Sequence, residues 1–286
     1  MHGESSLSRR LESGELVDFT QSPFPLPSPE DQVFLRQQTL AHRSTAAIEW
    51  HTADRQLIGH RVQSSLESER LGLILDQFTQ SLTAWLSAIV PAYTADWTPS
   101  PTLFHPEEEA IRSLGFQHRK DLLHLEQPSH EYSHGRRLLR VMVNLHPEES
   151  RVWTTAETFP ELLERYLVEH RISDRTIEQW SQPNGWPRLW TSDRKSESPF
   201  DRFSRKLDHF LKTDDAFQDK ARRRFWHFAP ESAWVLFADG LSHAELRGQF
   251  ALEQTFLIPL ESLHAPELSP IARLADHHTL PRRLAS

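Results

Sequence analysis

Two short segments of this chain carry residue types that often ligate metal ions. His124 and Glu126 are separated by one leucine, and His243 lies far downstream. Residues two apart on a strand point to the same face, about 7 Å apart along it. His124 and Glu126 can therefore enter one cavity, where His243 would complete a three-ligand set. Two imidazoles and one carboxylate leave open positions on an octahedral metal, which suits Fe(II) with a co-substrate and dioxygen.

Each of these signals also has a plainer interpretation. The His-x-Glu spacing fits a partly exposed strand whose two side chains face water. His243 follows the Asp239-Gly240 turn, so it could be a hydrogen-bonded turn residue rather than part of the mouth of a barrel. The residues alone leave both alternatives open.

A third signal lies in the segment from Leu138 to His146, which alternates between apolar and polar positions as a strand does. One face would be fully apolar, and the other would carry Arg140 and Asn144. A buried arginine is costly unless it meets an anion, and its guanidinium binds carboxylates bidentately. A dicarboxylate co-substrate would supply that anion. The alternative is a strand side that faces solvent.

A basic and aromatic run, Arg222-Arg223-Arg224-Phe225-Trp226-His227, could bind an acidic or phosphorylated sugar. The favoured interpretation is the last turn of a helix, where cations complement the helix dipole. Other catalytic signatures are absent from the sequence: it has no glycine-rich phosphate loop, no nucleophile elbow, no dinucleotide fingerprint and no His-Glu-x-x-His.

Composition sets wider limits. The 286 residues fit one large domain or two modest ones, and the net charge of −8 argues against a general nucleic-acid binder. The absence of cysteine excludes disulfides, thiolate catalysis and iron–sulfur ligation. The polar N-terminus does not resemble a signal peptide, and the apolar stretch Leu71 to Tyr93 is interrupted by polar residues. We therefore expect a soluble cytoplasmic protein.

The first hundred residues divide into an arm and a helical region. Residues 1–30 end in a proline-rich run, which predicts a flexible, extended arm. Ser28-Pro29 then offers a cap and a first-turn proline, predicting a helix through about Gln38. Apolar residues recur at helical period from Ser65 to Ile89, so residues 31–100 should form a helical region that packs on the remainder.

From residue 101 onward the pattern becomes rich in strands. Besides the strand near Leu138, residues 233–238 and 250–259 read as strands. Phe159 to Trp180, broken near Ser173, and Asp201 to Arg224 read as helices. Residues 101–286 thus predict an α+β, β-rich core with a helical insert, rather than a regularly alternating βαβ chain.

Several stretches taken together resemble the Kdo hydroxylases, Fe(II)- and 2-oxoglutarate-dependent dioxygenases that act on lipopolysaccharide; Kdo is 3-deoxy-D-manno-oct-2-ulosonic acid. The resemblance covers roughly residues 101–260, and residues 251–256 are its most specific part. The stretches that carry it are Arg119-Lys120-Asp121, Leu123-His124-Leu125-Glu126, residues 135–141, Arg151-Val152-Trp153 and residues 234–259.

The resemblance implies a double-stranded β-helix, or jelly-roll, core flanked by helices. It also implies that His124, Glu126 and His243 ligate iron, and that the enzyme consumes 2-oxoglutarate and O2. The product would be Kdo hydroxylated at C3 within the lipid A-linked core. One departure is that the family usually has aspartate where this chain has Glu126.

A second departure concerns 2-oxoglutarate. Many relatives place a basic residue about ten positions after the distal histidine, but here that count reaches Glu253 and Gln254. Arg140 is therefore the first candidate for the distal carboxylate and Arg247 the second, with Asn144 and Gln254 as further candidates.

The implied substrate is a Kdo–lipid A type glycolipid, with Arg119, Lys120 and Asp121 as candidate contacts. Such a substrate implies transient contact with the cytoplasmic face of the inner membrane. The helix at residues 65–89 could make that contact, although a core helix is the favoured interpretation. Two alternatives remain: a related oxygenase acting on another small molecule or sugar, and a non-catalytic jelly-roll module that binds sugar or protein.

Overall fold

Two antiparallel sheets face each other at the centre of the molecule. The computed structural model describes residues 4–42, 45–109, 115–116, 119–128, 131–169, 171–181 and 197–279. Within these residues the large sheet has eight strands in the order β1-β9-β6-β11-β5-β2-β3, with β4 also paired to β11. The small sheet has the order β10-β7-β8.

The strands are β1 (Val17–Phe19), β2 (Ile48–His51), β3 (Gln56–Ile58), β4 (Thr98–Pro99), β5 (Thr102–His105), β6 (Arg137–Asn144), β7 (Arg151–Thr158), β8 (Arg224–Phe228), β9 (Ala233–Phe237), β10 (Leu241–Arg247) and β11 (Ala251–Ile258). The helices are α1 (Glu4–Glu12), α2 (Pro29–Arg36), α3 (Ser65–Ile89), α4 (Pro91–Thr94), α5 (Phe159–Val168), α6 (Asp174–Ser181), α7 (Pro199–Thr213), α8 (Asp215–Lys220) and α9 (Pro270–Thr279).

Helix starts follow the capping chemistry of the sequence. The Ser28 hydroxyl accepts a hydrogen bond from the Asp31 N–H at the start of α2, and Pro29 occupies its first turn. Ser64 caps α3 in the same way through the Glu67 N–H. At α7, Ser198 and Asp201 form a reciprocal capping box. The predicted helices at residues 29–38 and 65–89 are thus confirmed.

Apolar side chains divide into three clusters, one on each side of the sheet pair and one between the sheets. On β6, Leu139, Val141 and Val143 pack outward against the cluster that includes α2 and α3. A second cluster joins α5, α7 and α8 to the outer face of the small sheet. The third lies between the sheets and contains residues of both. This layered arrangement confirms the predicted α+β class with a jelly-roll core covered by helices.

Three sequence expectations need correction. The first 30 residues are not a flexible arm, because α1 forms there, β1 pairs with β9 and the Phe24 side chain is buried. The region 31–100 is not purely helical, because β2 and β3 extend the large sheet. The run from Arg222 is not a helix end, because α8 ends at Lys220 and Arg224 begins β8.

The other predicted elements hold, except that the helix expected from Asp201 is divided at Asp214 into α7 and α8. The strands expected near residues 138–146, 233–238 and 250–259 are β6, β9 and β11, and the helical stretch from Phe159 breaks between Val168 and Asp174. Parts of the predicted 101–286 core, including residues 110–114, 182–196 and 280–286, lie outside the described residues. In the described part of the chain, no helix combines the length and apolarity that crossing a bilayer requires.

Candidate metal centre

An extended segment before β6 runs beside β10 and brings two remote parts of the chain together. The His124 N–H donates to the His243 carbonyl, and the His243 N–H donates to the His124 carbonyl, each at 3.0 Å. Leu123 and Leu125 point into the apolar cluster beneath the small sheet. By the two-residue period of extended chain, His124 and Glu126 therefore point into the space between the sheets.

Helix α8 fixes the same segment from the other side. The Gln218 side chain accepts from the Leu123 N–H and donates to the Leu123 carbonyl, each at 2.9 Å. Further along, the Glu126 N–H donates to the Ala238 carbonyl at 3.0 Å. The segment is thus held by backbone and side-chain hydrogen bonds, although it forms an isolated bridge with β10 rather than a regular strand.

The turn that leads into β10 is held by a buried ion pair. Asp239 accepts from Arg137 Nε at 2.8 Å and from the Leu138 N–H at 3.0 Å. Gly240 leaves space for this guanidinium, because a Cβ there would lie 2.5 Å from Arg137 Nη2. These contacts fix the start of the strand that carries His243.

Both histidines present the same ring nitrogen to the interior. His124 Nδ1 lies 2.8 Å from the Leu122 carbonyl, and His243 Nδ1 lies 2.9 Å from the Leu241 carbonyl. Because a carbonyl only accepts, each Nδ1 carries a proton, and Nε2 is the nitrogen that each ring leaves available toward the interior. His243 Nε2 is buried and has no hydrogen-bond partner among the described residues. This is the state that a metal-binding imidazole requires.

Glu126 supplies the third donor. One ligand atom from each of His124, Glu126 and His243 lies within 4.8 Å of the other two. Burial alone would raise the pKa of Glu126, but the nearby charge of Arg140 and the contact with His124 hold it well below its ordinary value. Arg140 Nη2 lies 2.6 Å from Glu126 Oε2. The carboxylate is therefore ionised, as a metal ligand must be.

The environment of His243 keeps it neutral. Burial, together with the charges of His124 and Arg140, lowers the pKa of His243 to about 3. Its ring stacks on Trp153 with centroids 5.3 Å apart and an interplanar angle of 10°. Trp153 is fully buried between the sheets. The imidazole is thus fixed in orientation by one aromatic neighbour and one backbone carbonyl.

Beside this centre lies a network of buried charges. Arg140 Nε lies 3.0 Å from Glu253 Oε1, and Lys120 Nζ lies 3.3 Å from Glu245 Oε1. Arg151 Nη2 donates to Glu245 Oε2 at 2.7 Å. Burial would raise the pKa of Glu253, but Arg140 and Lys120 lower it to about 2. Each carboxylate in this network therefore stays charged by virtue of its cations.

Among the residues predicted from sequence for the co-substrate, Arg140 is the one beside the metal ligands. Its Nε and Nη1 are buried and lack well-directed hydrogen bonds within the described chain. Lys120 also points inward, with its side chain only 20% exposed. Arg119 and Asp121 pair with each other at the surface.

Three other residues predicted to bind the co-substrate lie in positions that do not suit this role. Gln254 lies opposite Val141 on the outward face of the large sheet, where its amide donates to the Ser100 carbonyl. Asn144 joins strand ends by donating to the Glu149 and Phe228 carbonyls, each at 2.9 Å. Arg247 follows an irregularity in β10 that turns its side chain outward to pair with Glu149.

Sequence reasoning missed four interior residues: Trp153, Arg151, Glu245 and Glu253. A signal existed for Glu245, because it lies two positions after His243 on the same strand and must share its face. Glu253 was reached by counting from His243, but only its register opposite Met142 shows that it points inward. Arg151 and Trp153 belong to a stretch that carries the family resemblance, but no local pattern indicated that they lie in the interior.

Three cavities meet at Gln127, the residue after Glu126. One is lined by Glu126 with Phe200 and Ser204 of α7. A second is lined by Arg140 and Glu253. The third, with a volume of about 260 Å³, opens outward between Tyr132 and Arg205. Gln127 is therefore a shared wall between the small cavities at Glu126 and Arg140 and the larger outer one.

The donor set fits a ferrous ion. Two imidazoles and one ionised carboxylate supply three ligands, and such a set leaves further coordination positions for a chelating co-substrate and dioxygen. The strongest indication of a bound cation is the buried Nε2 of His243, which has no hydrogen-bond partner among the described residues. An unpaired buried ring nitrogen is otherwise costly.

Comparison with known proteins gives one family match. The model of the 3-deoxy-D-manno-oct-2-ulosonic acid (Kdo) hydroxylase family matches residues 1–279. No protein in the curated set matches this chain.

Solved structures of one protein share the fold. The apo structure of the Kdo hydroxylase KdoO, a non-heme Fe(II) α-ketoglutarate-dependent dioxygenase, is 25% identical with a TM-score of 0.81, covering 97% of this chain and 90% of that one. The complex of KdoO with α-ketoglutarate and Fe(III) is 24% identical with a TM-score of 0.79 at the same coverage. The cobalt(II) complex is 24% identical with a TM-score of 0.81.

Proposed function

This chain belongs to the Kdo hydroxylase family, and we propose that His124, Glu126 and His243 hold the iron with which it works. The protein is an Fe(II)- and 2-oxoglutarate-dependent dioxygenase that hydroxylates Kdo in a Kdo-containing substrate. The observation that carries the proposed ligand set is the convergence of three donor atoms within 4.8 Å from two remote segments.

When bound, Fe(II) and 2-oxoglutarate supply the power to oxidise an unactivated C–H bond with O2. The protein's own groups prepare for this. The carbonyls of Leu122 and Leu241 fix the two imidazole tautomers, and Arg140 keeps Glu126 ionised. We propose that the oxygen is inserted at C3 of Kdo.

Arg140 is our proposed partner for the distal carboxylate of 2-oxoglutarate. Its buried guanidinium lies beside Glu126 and lines a cavity that adjoins Gln127. An arginine with unsatisfied buried donors favours a planar anion that can accept two parallel hydrogen bonds. Lys120 lies in the same network and adds positive charge without the planar fork.

The acceptor that we propose is Kdo attached to lipid A. Its lipid portion would bring the protein into transient contact with the cytoplasmic face of the inner membrane. Helix α3 is a poor candidate for that contact, because its buried face packs on the large sheet, on the side away from the metal centre.

The test is a reaction reconstituted from its parts. The purified chain is incubated with Fe(II), 2-oxoglutarate, ascorbate and Kdo-bearing lipid A, and the glycan is weighed by mass spectrometry. We expect a gain of one oxygen in the glycan only when every component is present. The His124→Ala variant serves as the control and should give no product. Succinate formed by the wild type without oxidation of the glycan would assign the activity to another acceptor.

A further inference from the structure

We propose that a polar cleft beside the metal centre binds the sugar next to the reacting Kdo in the acceptor glycan, an inference that rests on the proposed function. This outer cleft has a volume of about 260 Å³. It is lined by Gln127, Pro128, Glu131, Tyr132, Glu197, Asp201 and Arg205.

The outer cleft lies next to the proposed metal ligands. Gln127 lines this cleft and also the two small cavities lined by Glu126 and by Arg140. Because Gln127 directly follows Glu126, and consecutive Cα atoms are about 3.8 Å apart, one wall of the cleft begins next to a proposed ligand. We therefore place the ring that follows the reacting Kdo in this space.

The lining has the chemistry of a sugar site. Tyr132 is 38% exposed, and His134 meets its ring edge-on with centroids 6.1 Å apart. A fixed aromatic ring offers a large amphipathic surface at low entropic cost. Around it stand two ion pairs, Glu131 with Arg136 at 2.9 Å and Glu197 with Arg205 at 2.7 Å. Such pairs offer both donors and acceptors to a polyhydroxylated ring.

Arg205 adds hydrogen-bond donors. Its side chain is 53% exposed and lines the cleft from α7. A hydroxyl of the bound glycan could share this guanidinium with Glu197, because arginine has several donors in one plane. The outer cleft has no large aliphatic side chain in its described lining. It therefore suits a sugar ring rather than an acyl chain.

The two walls of the outer cleft are tied together before any ligand binds. Asp201, at the start of α7, accepts from the Ser133 N–H at 2.9 Å and from the His134 N–H at 3.2 Å. The same carboxylate accepts from the Ser198 N–H as part of the helix cap. The loop carrying Tyr132 and the helix carrying Arg205 are thus joined through one buried side chain. Preorganisation of this kind lowers the cost of binding.

The experiment compares two ligands of different length. Free Kdo and deacylated Kdo-bearing lipid A are titrated into the full chain loaded with Co(II) and 2-oxoglutarate, by calorimetry. The variants are Tyr132→Ala, Tyr132→Phe and Arg205→Gln. Arg10→Gln is the matched control, because Arg10 also forms an exposed ion pair with a glutamate but lies on α1, outside the cleft.

We expect Tyr132→Ala to weaken binding of the longer glycan by about tenfold, as loss of a stacking aromatic commonly does, and Arg205→Gln by a smaller factor. Binding of free Kdo should stay within about twofold of wild type in both variants. Tyr132→Phe keeps the ring, so its affinity for the longer glycan should stay close to that of wild type. The Arg10→Gln control should bind both ligands as wild type does.

Two results would overturn the inference while leaving the proposed function intact. Equal losses for both ligands would place the reacting Kdo itself in the outer cleft. Unchanged affinity for the longer glycan in both Tyr132→Ala and Arg205→Gln would show that the cleft is not used. Failure of the proposed function has a separate signature, which is the absence of glycan oxidation by the wild-type enzyme.

Discussion

The space between the two sheets is divided into an aromatic half and a charged half. The aromatic half is formed by Trp226, Phe228 and Trp234, which stack in sequence, and by Trp153, which meets Trp234 edge-on. The charged half is formed by Lys120, Arg140, Arg151, Glu245 and Glu253, which pair with one another. Both halves are buried by the same two sheets, yet they are held by opposite kinds of interaction.

The difference shows where function constrains the fold. The aromatic half gains free energy from burial and close contact, such as the parallel rings of Phe228 and Trp234 at 3.9 Å, so its requirement is shape. The charged half gains little stability over apolar residues of the same volume, because each pair has lost its hydration. Its arrangement is better explained by the anionic co-substrate that we propose for Arg140. His243 lies at the boundary, stacked on Trp153 and near Arg140.

The largest expected effect is at that boundary. His243→Ala removes a proposed ligand and should reduce Co(II) affinity by more than about a hundredfold, the upper range seen when an outer partner alone is lost. Trp153→Phe keeps a stacking ring on His243 and should change the affinity by at most about tenfold. Equilibrium dialysis measures both, with circular dichroism to check the fold. Equal Co(II) affinity in wild type and His243→Ala would exclude this ligand set.

The two halves should differ in their tolerance of single substitutions. Glu253→Gln removes one of the buried carboxylates that compensate Arg140 and Lys120, so the free energy of unfolding should fall by about 3 kcal/mol, the lower end of the loss for a broken buried pair. Trp234→Phe keeps an aromatic ring in the stack but is a large-to-small change at a buried position, so it should cost about 1–2 kcal/mol. Urea denaturation of the metal-free proteins gives both values. A larger loss of unfolding free energy in Trp234→Phe than in Glu253→Gln would contradict this prediction.

Acid should weaken the charged half before the aromatic half. Burial opposes ionisation of Glu253, but Arg140 and Lys120 lower its pKa from 4.5 to about 2. Because the folded pKa is the lower one, the stabilisation is fully present above pH 4.5 and is lost as the pH falls toward 2. This difference corresponds to about 3 kcal/mol.

The measurement is urea denaturation of wild type and Glu253→Gln at several pH values. The stability gap between the two proteins should narrow as the pH falls through this window, because the variant lacks the titrating group. Trp234→Phe should instead keep a constant gap from wild type. A gap between wild type and Glu253→Gln that does not change with pH would contradict the assignment.

The smallest effects distinguish two arginines. Arg140→Lys keeps the charge but loses the planar fork, so the KM for 2-oxoglutarate should rise by about tenfold. Arg247 forms an exposed pair with Glu149, so Arg247→Lys should leave this KM unchanged and cost at most about 1 kcal/mol of stability. Initial rates at saturating acceptor measure both. A larger change in KM for Arg247→Lys than for Arg140→Lys would indicate that Arg247, rather than Arg140, binds 2-oxoglutarate.

Much of the fold was predictable because its causes are local. Ser28 and Pro29 start α2, and the apolar period of residues 65–89 matches α3 to the residue. The alternation from Leu138 identifies β6 and places Arg140 on the face opposite Val141. The N-terminal arm failed as a prediction because pairing of β1 with β9 is a long-range event that proline content does not report.

Within the candidate site, the sequence showed which residues share one face of a strand, but it did not show how neighbouring strands pair. Two-residue spacing was enough to place His124 and Glu126 on one face, and the same rule would have found Glu245. The inward position of Glu253 and the outward position of Gln254 depend on how β11 pairs with β6. The outward turn of Arg247 depends on an irregularity between β10 and β7.

The sequence by itself determined which residue types were present, where helices begin, which side of each strand is apolar and which family the chain resembles. Only the tertiary structure decided that the segment of His124 lies beside β10, that Glu126 meets Arg140, and that buried charges and stacked rings share one interior. The physical reason is the separation along the chain over which each kind of interaction acts. Capping and periodicity act within a few residues, whereas the pairing of charges and sheets depends on residues that are neighbours in space alone.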